Sequence, residues 1–244
     1  MNLAPTIERQ RIALMQPYFL PYLGYFQLIA ASDHFVLYDN VQFIKNGWIE
    51  RNRYLLDGEA KWFRISLAKD SHTQQITHRR IAEQFALGDL LNKLEFAYRK
   101  APLRTEMMAW LEDLLTPPAD SIATLNERLL RACCARLAID TPITRASQLE
   151  PGAGLQGQER VIEIVQACRG THYLNPVGGG HLYHPQAFRQ AGIHLELLGA
   201  NLPPYAQGGG AHPFVAGLSI LDALMFNEPE VVGAWARQGD IQHA

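Results

Sequence analysis

The stretch Asp39-Asn-Val-Gln-Phe-Ile-Lys-Asn-Gly-Trp-Ile-Glu-Arg-Asn-Arg53 is dense in groups that could do chemistry. Lys45, Arg51 and Arg53 are cations, Gln42 and Asn52 are amides, and Phe43 and Trp48 offer flat apolar faces. A guanidinium can clamp a phosphate with two parallel bonds, while an ammonium acts as a point charge. Asp39 could orient or deprotonate an incoming amine. The mixture suits a polar ligand rich in phosphate or hydroxyl groups. The same residues also read as a solvated loop, with Asp39 capping the turn that follows it.

Two further clusters could serve the same ligand. At Gln16-Pro17 an apolar run ends in an aromatic turn, and a helix starts near Tyr22 with Gly24 in its first turn. Free N–H groups and the helix dipole favour negative charge there, and Gly24 would admit a ligand close to the backbone. Tyr22, Tyr25 and the amides after Gln16 could donate to an oxyanion. The second cluster, Asn175-Pro-Val-Gly-Gly-Gly-His-Leu-Tyr183, is a glycine-rich loop able to wrap an anion or a flat group. It lacks the GK[ST] ending of a Walker A loop and could equally be a flexible turn. Gly208-Gly209-Gly210, beside Tyr205 and Gln207, could form a lid. Ser219 and Asp222 lie three apart on one helix face, where a serine either touches phosphate or caps the helix. The histidine pairs His72/His78 and His181/His184 lack companion ligands, so no metal signature is present.

The elements that must position these residues alternate in type. Ile12–Gln16, His34–Tyr38, Lys61–Ala68, Thr141–Ala146, His172–Asn175 and His194–Leu198 read as strands. Helical spacing covers Tyr22–Ala31, Asp89–Lys100, Arg104–Leu115, Ser121–Leu137, Gln156–Cys168, Pro185–Ala191 and Val215–Phe226. Pro102 and Pro117-Pro118 punctuate the middle helices. This pattern predicts one α/β domain over residues 1–244, with a mostly parallel sheet and a helical insert at about 89–137. Ligands in such sheets sit beyond the carboxyl ends of the strands, where the three polar clusters fall.

The composition narrows the possible classes. At 244 residues, 48% apolar and 19% charged, the chain fits an ordinary soluble globular protein. A net charge of −2 argues against a broad nucleic-acid footprint but leaves room for a small basic pocket. No apolar run reaches the ~18 residues needed for a membrane span. Residues 1–11 carry no signal-peptide pattern. Cys133, Cys134 and Cys168 read as reduced, mostly buried thiols in a cytoplasmic protein.

Together these segments resemble the WbqC-like family, a bacterial group tied to surface-polysaccharide gene clusters. The likeness is carried by residues 15–29 and 38–53, by Tyr173-Leu-Asn-Pro-Val-Gly-Gly179, and by Leu218-Ser-Ile-Leu-Asp-Ala-Leu-Met-Phe-Asn227. It implies a role in O-antigen-type biosynthesis, with transfer of an amino acid such as glycine, or an acyl group, to an amino sugar or nucleotide-linked amino sugar. A second, distant likeness is to the layout of the HIGH segment in nucleotidyltransferases and class I synthetases, which implies a Rossmann-like (HUP/nucleotidyltransferase-like) sheet and possible use of ATP. Tyr22 and Tyr25 stand where that group carries histidines, and a neutral tyrosine supplies only one donor.

With that resemblance, catalysis is assigned to Asp39, Lys45 and Tyr22. Substrate contact is assigned to Gln16, Gly24, Tyr25, Gln42, Trp48, Arg51, Asn52, Asn175, Gly178, Gly179, Tyr183, Gln207, Ser219 and Asp222. The competing readings are a non-catalytic nucleotide-sugar-binding module and a transferase that takes its aminoacyl group from tRNA.

Overall fold

The computed structural model of the chain describes residues 9–71, 73–149, 154–210 and 212–243. The sequence readings of residues 1–8 and of His72 lie outside the described residues. In chain order the elements are β1 (Arg11–Met15), α1 (Leu23–Ala30), β2 (His34–Leu37), β3 (Arg51–Leu56), β4 (Glu59–Arg64), α2 (Leu87–Ala97), α3 (Arg104–Leu115) and α4 (Ile122–Arg136). They continue with β5 (Ile143–Arg145), α5 (Gly157–Ala167), β6 (His172–Pro176), α6 (Pro185–Gln190), β7 (His194–Gly199), α7 (Ile220–Phe226), α8 (Pro229–Ala236) and β8 (Asp240–His243).

Ile12-Ala13-Leu14 and Phe35-Val36-Leu37 are unbroken apolar runs because both faces of these strands are covered. The sheet order is β5-β2-β1-β6-β7-β8. All neighbours are parallel except β8, which runs antiparallel to β7 at the edge. The architecture is a Rossmann-like α/β fold. From β1 the chain steps outward through β2 to β5, then returns to β6 on the other side of β1 and continues to β7. The order therefore reverses between β1 and β6, the position where open α/β sheets bind ligands.

The two faces of the sheet have separate cores. Ala13, Phe35, Leu37 and Leu174 belong to one cluster with Phe26 and Ile29 of α1, Leu129 of α4 and Leu224 of α7. Ile12, Leu14, Val36 and Tyr173 belong to the other, with Val161, Ile164 and Val165 of α5 and Phe188 of α6. Each such buried aliphatic side chain contributes roughly 1.5–3 kcal/mol of transfer free energy. Helix α4 starts at Ser121, whose Oγ accepts from the Thr124 N–H at 3.2 Å. Among the described residues no helix is long and apolar enough to cross a membrane.

Two sequence readings need correction. The strand expected over Lys61–Ala68 is β4, and it pairs with β3 in a separate antiparallel hairpin rather than in the main sheet. Asp57 and Gly58 join the two strands with φ of 49° and 79°, the left-handed pair that a two-residue hairpin turn demands. Residues 51–53, taken as loop, are the start of β3. Helix α8 and the edge strand β8 were not expected.

Glu196 of β7 is fully buried and reaches past β6 to the start of β1. Its Oε2 accepts from Arg11 Nε at 2.7 Å, its Oε1 pairs with Arg9, and His243 Nδ1 of β8 lies 3.6 Å away. Burial alone would raise its pKa, but the Arg11 hydrogen bond and the charges of Arg11 and Arg9 outweigh burial and hold it below the ordinary value. Its stabilisation is therefore complete above the unfolded carboxyl pKa of about 4.3 and is lost as pH falls through the lower folded value. Glu196→Gln should cost about 3 kcal/mol at neutral pH, with the gap closing in acid. Urea melts of both proteins at neutral and acidic pH measure this; identical neutral melts would leave the ion pairs without net effect.

Candidate functional site

The site begins with the loop between β1 and α1. Pro17 and Pro21 have no N–H, and no backbone hydrogen bond joins residues 16 to 21 of this loop to one another. Its carbonyls are instead taken up by groups from distant parts of the chain. Tyr25 Oη donates to the Gln16 carbonyl at 2.8 Å. Asn126 Nδ2, from α4, donates to the carbonyls of Pro17 at 2.7 Å and Ile49 at 2.9 Å. Asn52 Nδ2, from β3, donates to the carbonyls of Phe19 at 2.9 Å and Leu20 at 2.8 Å. Ser219 Oγ also donates to Leu20, at 2.8 Å, and the Ile220 N–H donates to Pro21 at 2.8 Å. Leu20, fully buried, is held at φ 42°, in the left-handed region that a branched side chain seldom adopts. That conformation costs about 1–3 kcal/mol and persists because its surroundings over-determine it.

With the carbonyls turned inward, the rings of the loop form one wall of a cleft. The cleft has a volume of about 300 Å³ and is lined by Tyr18, Pro21, Tyr22, Trp48, Asn52, Arg53 and Gly217. It lies directly beyond the carboxyl end of β1. Arg53 donates to the Gly217 carbonyl at 3.0 Å, and its guanidinium sits 5.6 Å from the centre of the Trp48 ring. Trp48, 38% exposed, leans on Trp62 at 5.3 Å. Burial raises the pKa of Tyr18, with Tyr22 adding to it, and burial does the same for Tyr22. Both phenols stay neutral at physiological pH and can donate hydrogen bonds. Flat faces, neutral donors and one cation suit a sugar or another ring that bears hydroxyl or anionic groups.

The other residues expected at the site have varied placements. Gly24 serves packing: a Cβ there would fall 2.5 Å from the Tyr22 ring and 2.8 Å from Ala200 Cβ. Tyr25 is buried with its hydroxyl committed to Gln16, so it does not face the cleft. Asp39 is buried after β2, where its two oxygens accept from the Ser147 N–H at 3.0 Å and the Ser147 hydroxyl at 2.7 Å. It thereby ties the exit of β2 to that of β5. Lys45 is exposed on a separate groove of about 490 Å³, with Phe43, Glu50, Arg64 and Arg79. Gln42 is exposed and bridges to Gln75. Arg51 stacks on Trp62, its guanidinium 4.0 Å from the ring centre, and donates to the Asn46 carbonyl.

The glycine-rich loop after β6 folds into a 3-10 turn from Val177 to Leu182. Asn175 accepts from Tyr173 Oη at 3.1 Å and donates to the Pro176 carbonyl at 2.9 Å. Tyr183 Oη lies 3.1 Å from Tyr173 Oη. Gly178 faces open space, whereas a Cβ on Gly179 would come 2.7 Å from the Asn175 amide. Gln207 and Asp222 meet in the interior: Asp222 Oδ2 accepts from Tyr205 Oη at 2.7 Å and from Gln207 Nε2 at 3.0 Å. Gln207 also exchanges bonds with Val215 at 2.8 and 3.0 Å, which fixes the segment leading to Gly217. Burial raises the pKa of Asp222 against these donors. Ser219 clamps Leu20 and caps α7 through the Leu221 N–H at 3.3 Å.

The cleft thus unites Tyr22, Trp48 and Asn52, while Asp39, Lys45, Asn175 and Ser219 lie outside its walls. Sequence reasoning did not single out Tyr18, Trp62 and Asn126. An amide among Leu125, Leu129 and Leu130 on an apolar helix face was the available signal for Asn126. Asn126→Ala would strip two buried carbonyls of their donor and should cost about 2–4 kcal/mol, read as a lower melting temperature. An unchanged melt would show that the loop relaxes freely.

The comparisons with known proteins cover this whole arrangement. The model of the WbqC-like protein family matches residues 16–233, starting where the clamped loop starts and taking in both the cleft and the hairpin. An uncharacterised protein of Mycobacterium tuberculosis, Rv1507c, is 29% identical over 226 residues, 89% of this chain and 94% of that protein. No solved structure matches the chain. A family match that runs from the clamped loop through the hairpin and into α8 leaves one conclusion: the chain belongs to the WbqC-like protein family.

Proposed function

We propose that this protein is a transferase of surface-polysaccharide biosynthesis, of the O-antigen type, that seats an amino sugar in the cleft and adds an amino-acid or acyl group to its amine. The observation that carries this reading is the cleft itself. Tyr18 and Tyr22, from the loop that leaves the carboxyl end of β1, present ring faces and neutral hydroxyls together with the Trp48 ring, beside Arg53. Aromatic faces suit the C–H faces of a sugar ring, and polar groups around them fix its hydroxyls.

In the reaction, the sugar's amine nitrogen attacks the carbonyl carbon of an activated acyl or aminoacyl ester. The acyl C–O bond breaks as the C–N bond forms, and the departing alkoxide takes the proton that the nitrogen gives up, leaving as an alcohol. Binding in a cleft speeds such a step chiefly by holding the amine against the carbonyl. Tyr22, whose phenol stays protonated, would donate to the oxygen on which negative charge develops. One observation favours a second reading, a binding module without catalysis: Asp39, the expected base, has both oxygens engaged by Ser147.

Mass spectrometry of amino sugars incubated with the protein and an activated glycyl or acetyl donor separates the two. The expected product carries the added acyl mass. Trp48→Ala should raise the KM for the sugar about tenfold with a smaller effect on kcat, and Tyr22→Phe should lower kcat about tenfold or more. Saturable sugar binding without any product would favour the binding module, and neither binding nor product would end both readings.

A further inference from the structure

The outer face of the β3–β4 hairpin carries an arrangement that the ligand-free protein does not explain. Arg51 stands directly opposite Arg64 in the antiparallel ladder, and Arg53 stands directly opposite Trp62. Residues paired this way share one face of the sheet, so three arginines stand on the face that carries Trp62. Like charges placed directly opposite each other destabilise a ladder. Among the described residues no carboxylate lies within ion-pair distance of Arg51, Arg53 or Arg64. Of the nearby acids, Glu59 pairs with Lys61, Asp57 lies 4.0 Å from Arg99, and Glu50 accepts from the Asn46 N–H at 2.7 Å through Oε1 while its buried Oε2 has no hydrogen-bond partner.

The cations are also interleaved with rings. The Arg51 guanidinium lies 4.0 Å from the centre of the Trp62 ring, Trp62 lies 5.3 Å from Trp48, and the Arg53 guanidinium lies 5.6 Å from Trp48. Both indoles are substantially exposed, at 38% and 41%. Trp48 and Arg53 also belong to the cleft, so the strip and the cleft are one continuous surface. A row of exposed rings with arginines between them takes a stacked base and its phosphates.

We propose that this hairpin face seats a nucleoside diphosphate, with the base on the Trp48–Trp62 pair and the diphosphate among Arg51, Arg53 and Arg64. The proposal rests on the reading of the cleft as a sugar site and deepens it: the substrate is the nucleotide-linked form of the amino sugar, whose two ends lie on the two parts of one surface. The anion relieves the repulsion between Arg51 and Arg64.

Tryptophan fluorescence titrations with uridine, adenosine, guanosine, cytidine and thymidine diphosphates test this. At least one should quench saturably, with an affinity that falls as salt is raised. Trp62→Ala and Arg64→Glu, both at exposed positions, should each weaken that binding tenfold or more, and Arg64→Glu should leave the binding of free amino sugar unchanged. Arg64→Glu supplies a partner for Arg51 and should raise the ligand-free melting temperature by about 1–2 °C. A merely structural arginine would give no such opposite pair of effects.

The proposal is overturned if no nucleoside diphosphate quenches, or if both variants bind it as the wild type does. It is also overturned if a short single-stranded RNA binds tenfold more tightly than every nucleoside diphosphate, which would assign the strip to a polynucleotide. Sugar binding without nucleotide binding would sink this proposal and leave the cleft reading standing. Nucleotide binding without acyl transfer would do the reverse.

Discussion

A loop that carries two prolines between a buried strand and a buried helix has acceptors to satisfy and few donors of its own. Buried carbonyls left unpaired cost about 1–3 kcal/mol each, so the loop can be buried only where the rest of the protein brings donors to it. Here the side chains of Tyr25, Asn52, Asn126 and Ser219 and the Ile220 N–H do so. They come from the helix that follows the loop, the hairpin, the helical segment before β5 and the start of α7. One wall of the cleft is the reverse side of the same loop. Pulling the carbonyls of residues 16 to 21 inward leaves Tyr18, Pro21 and Tyr22 as its surface, and the left-handed backbone of Leu20 is the local cost of that turn.

The hairpin works through both of its faces. On the inner side of β3, Asn52 holds the loop and Tyr54 packs into the core against Phe63. On the outer side, Arg51 and Arg53 stand among exposed indoles. Strand alternation alone separates the two roles, so one short strand supplies a clamp for the cleft wall and the charge that faces solvent. A one-residue slip of β3 against β4 would exchange them and destroy both.

Much of the fold was legible in the sequence because burial leaves a periodic trace. The strand at Ile12–Leu14 and the helix Arg104–Leu115 have apolar residues where their periods require them, and the structure places them there. The hairpin was not legible in the same way. Arg51-Asn52-Arg53 looks like turn residues because its outward face is charged and its inward face opens with an amide. The Asp57-Gly58 pair was the clearer sign, since its preference for left-handed backbone calls for a strand on each side. For the candidate site, residue type alone does not give the direction in which a side chain turns. Asn52, Asp39, Tyr25 and Ser219 have the side chains that bind ligands, and all four are turned toward the protein's own backbone or Ser147. Direction depends on tertiary contacts far along the chain, and no local pattern encodes it. Trp62 meets Trp48 and Arg53 only through the hairpin register, and Asn126 meets Pro17 only through the packing of α4.

The distances along the chain between the loop and its anchors set an order of assembly. Leu20 and Ser219 are separated by 199 positions, and Pro17 and Asn126 by 109. The strands β3 and β4, by contrast, are joined by a two-residue turn. Contacts between near neighbours close with little entropy loss, while contacts across most of the chain wait for the intervening parts to be in place. A growing chain therefore has its arginine-bearing hairpin long before Ser219 has been synthesised, and the Leu20 turn locks only afterward. The charged hairpin face rests on contacts that are local in sequence, and the shaped cleft on contacts that span most of the chain.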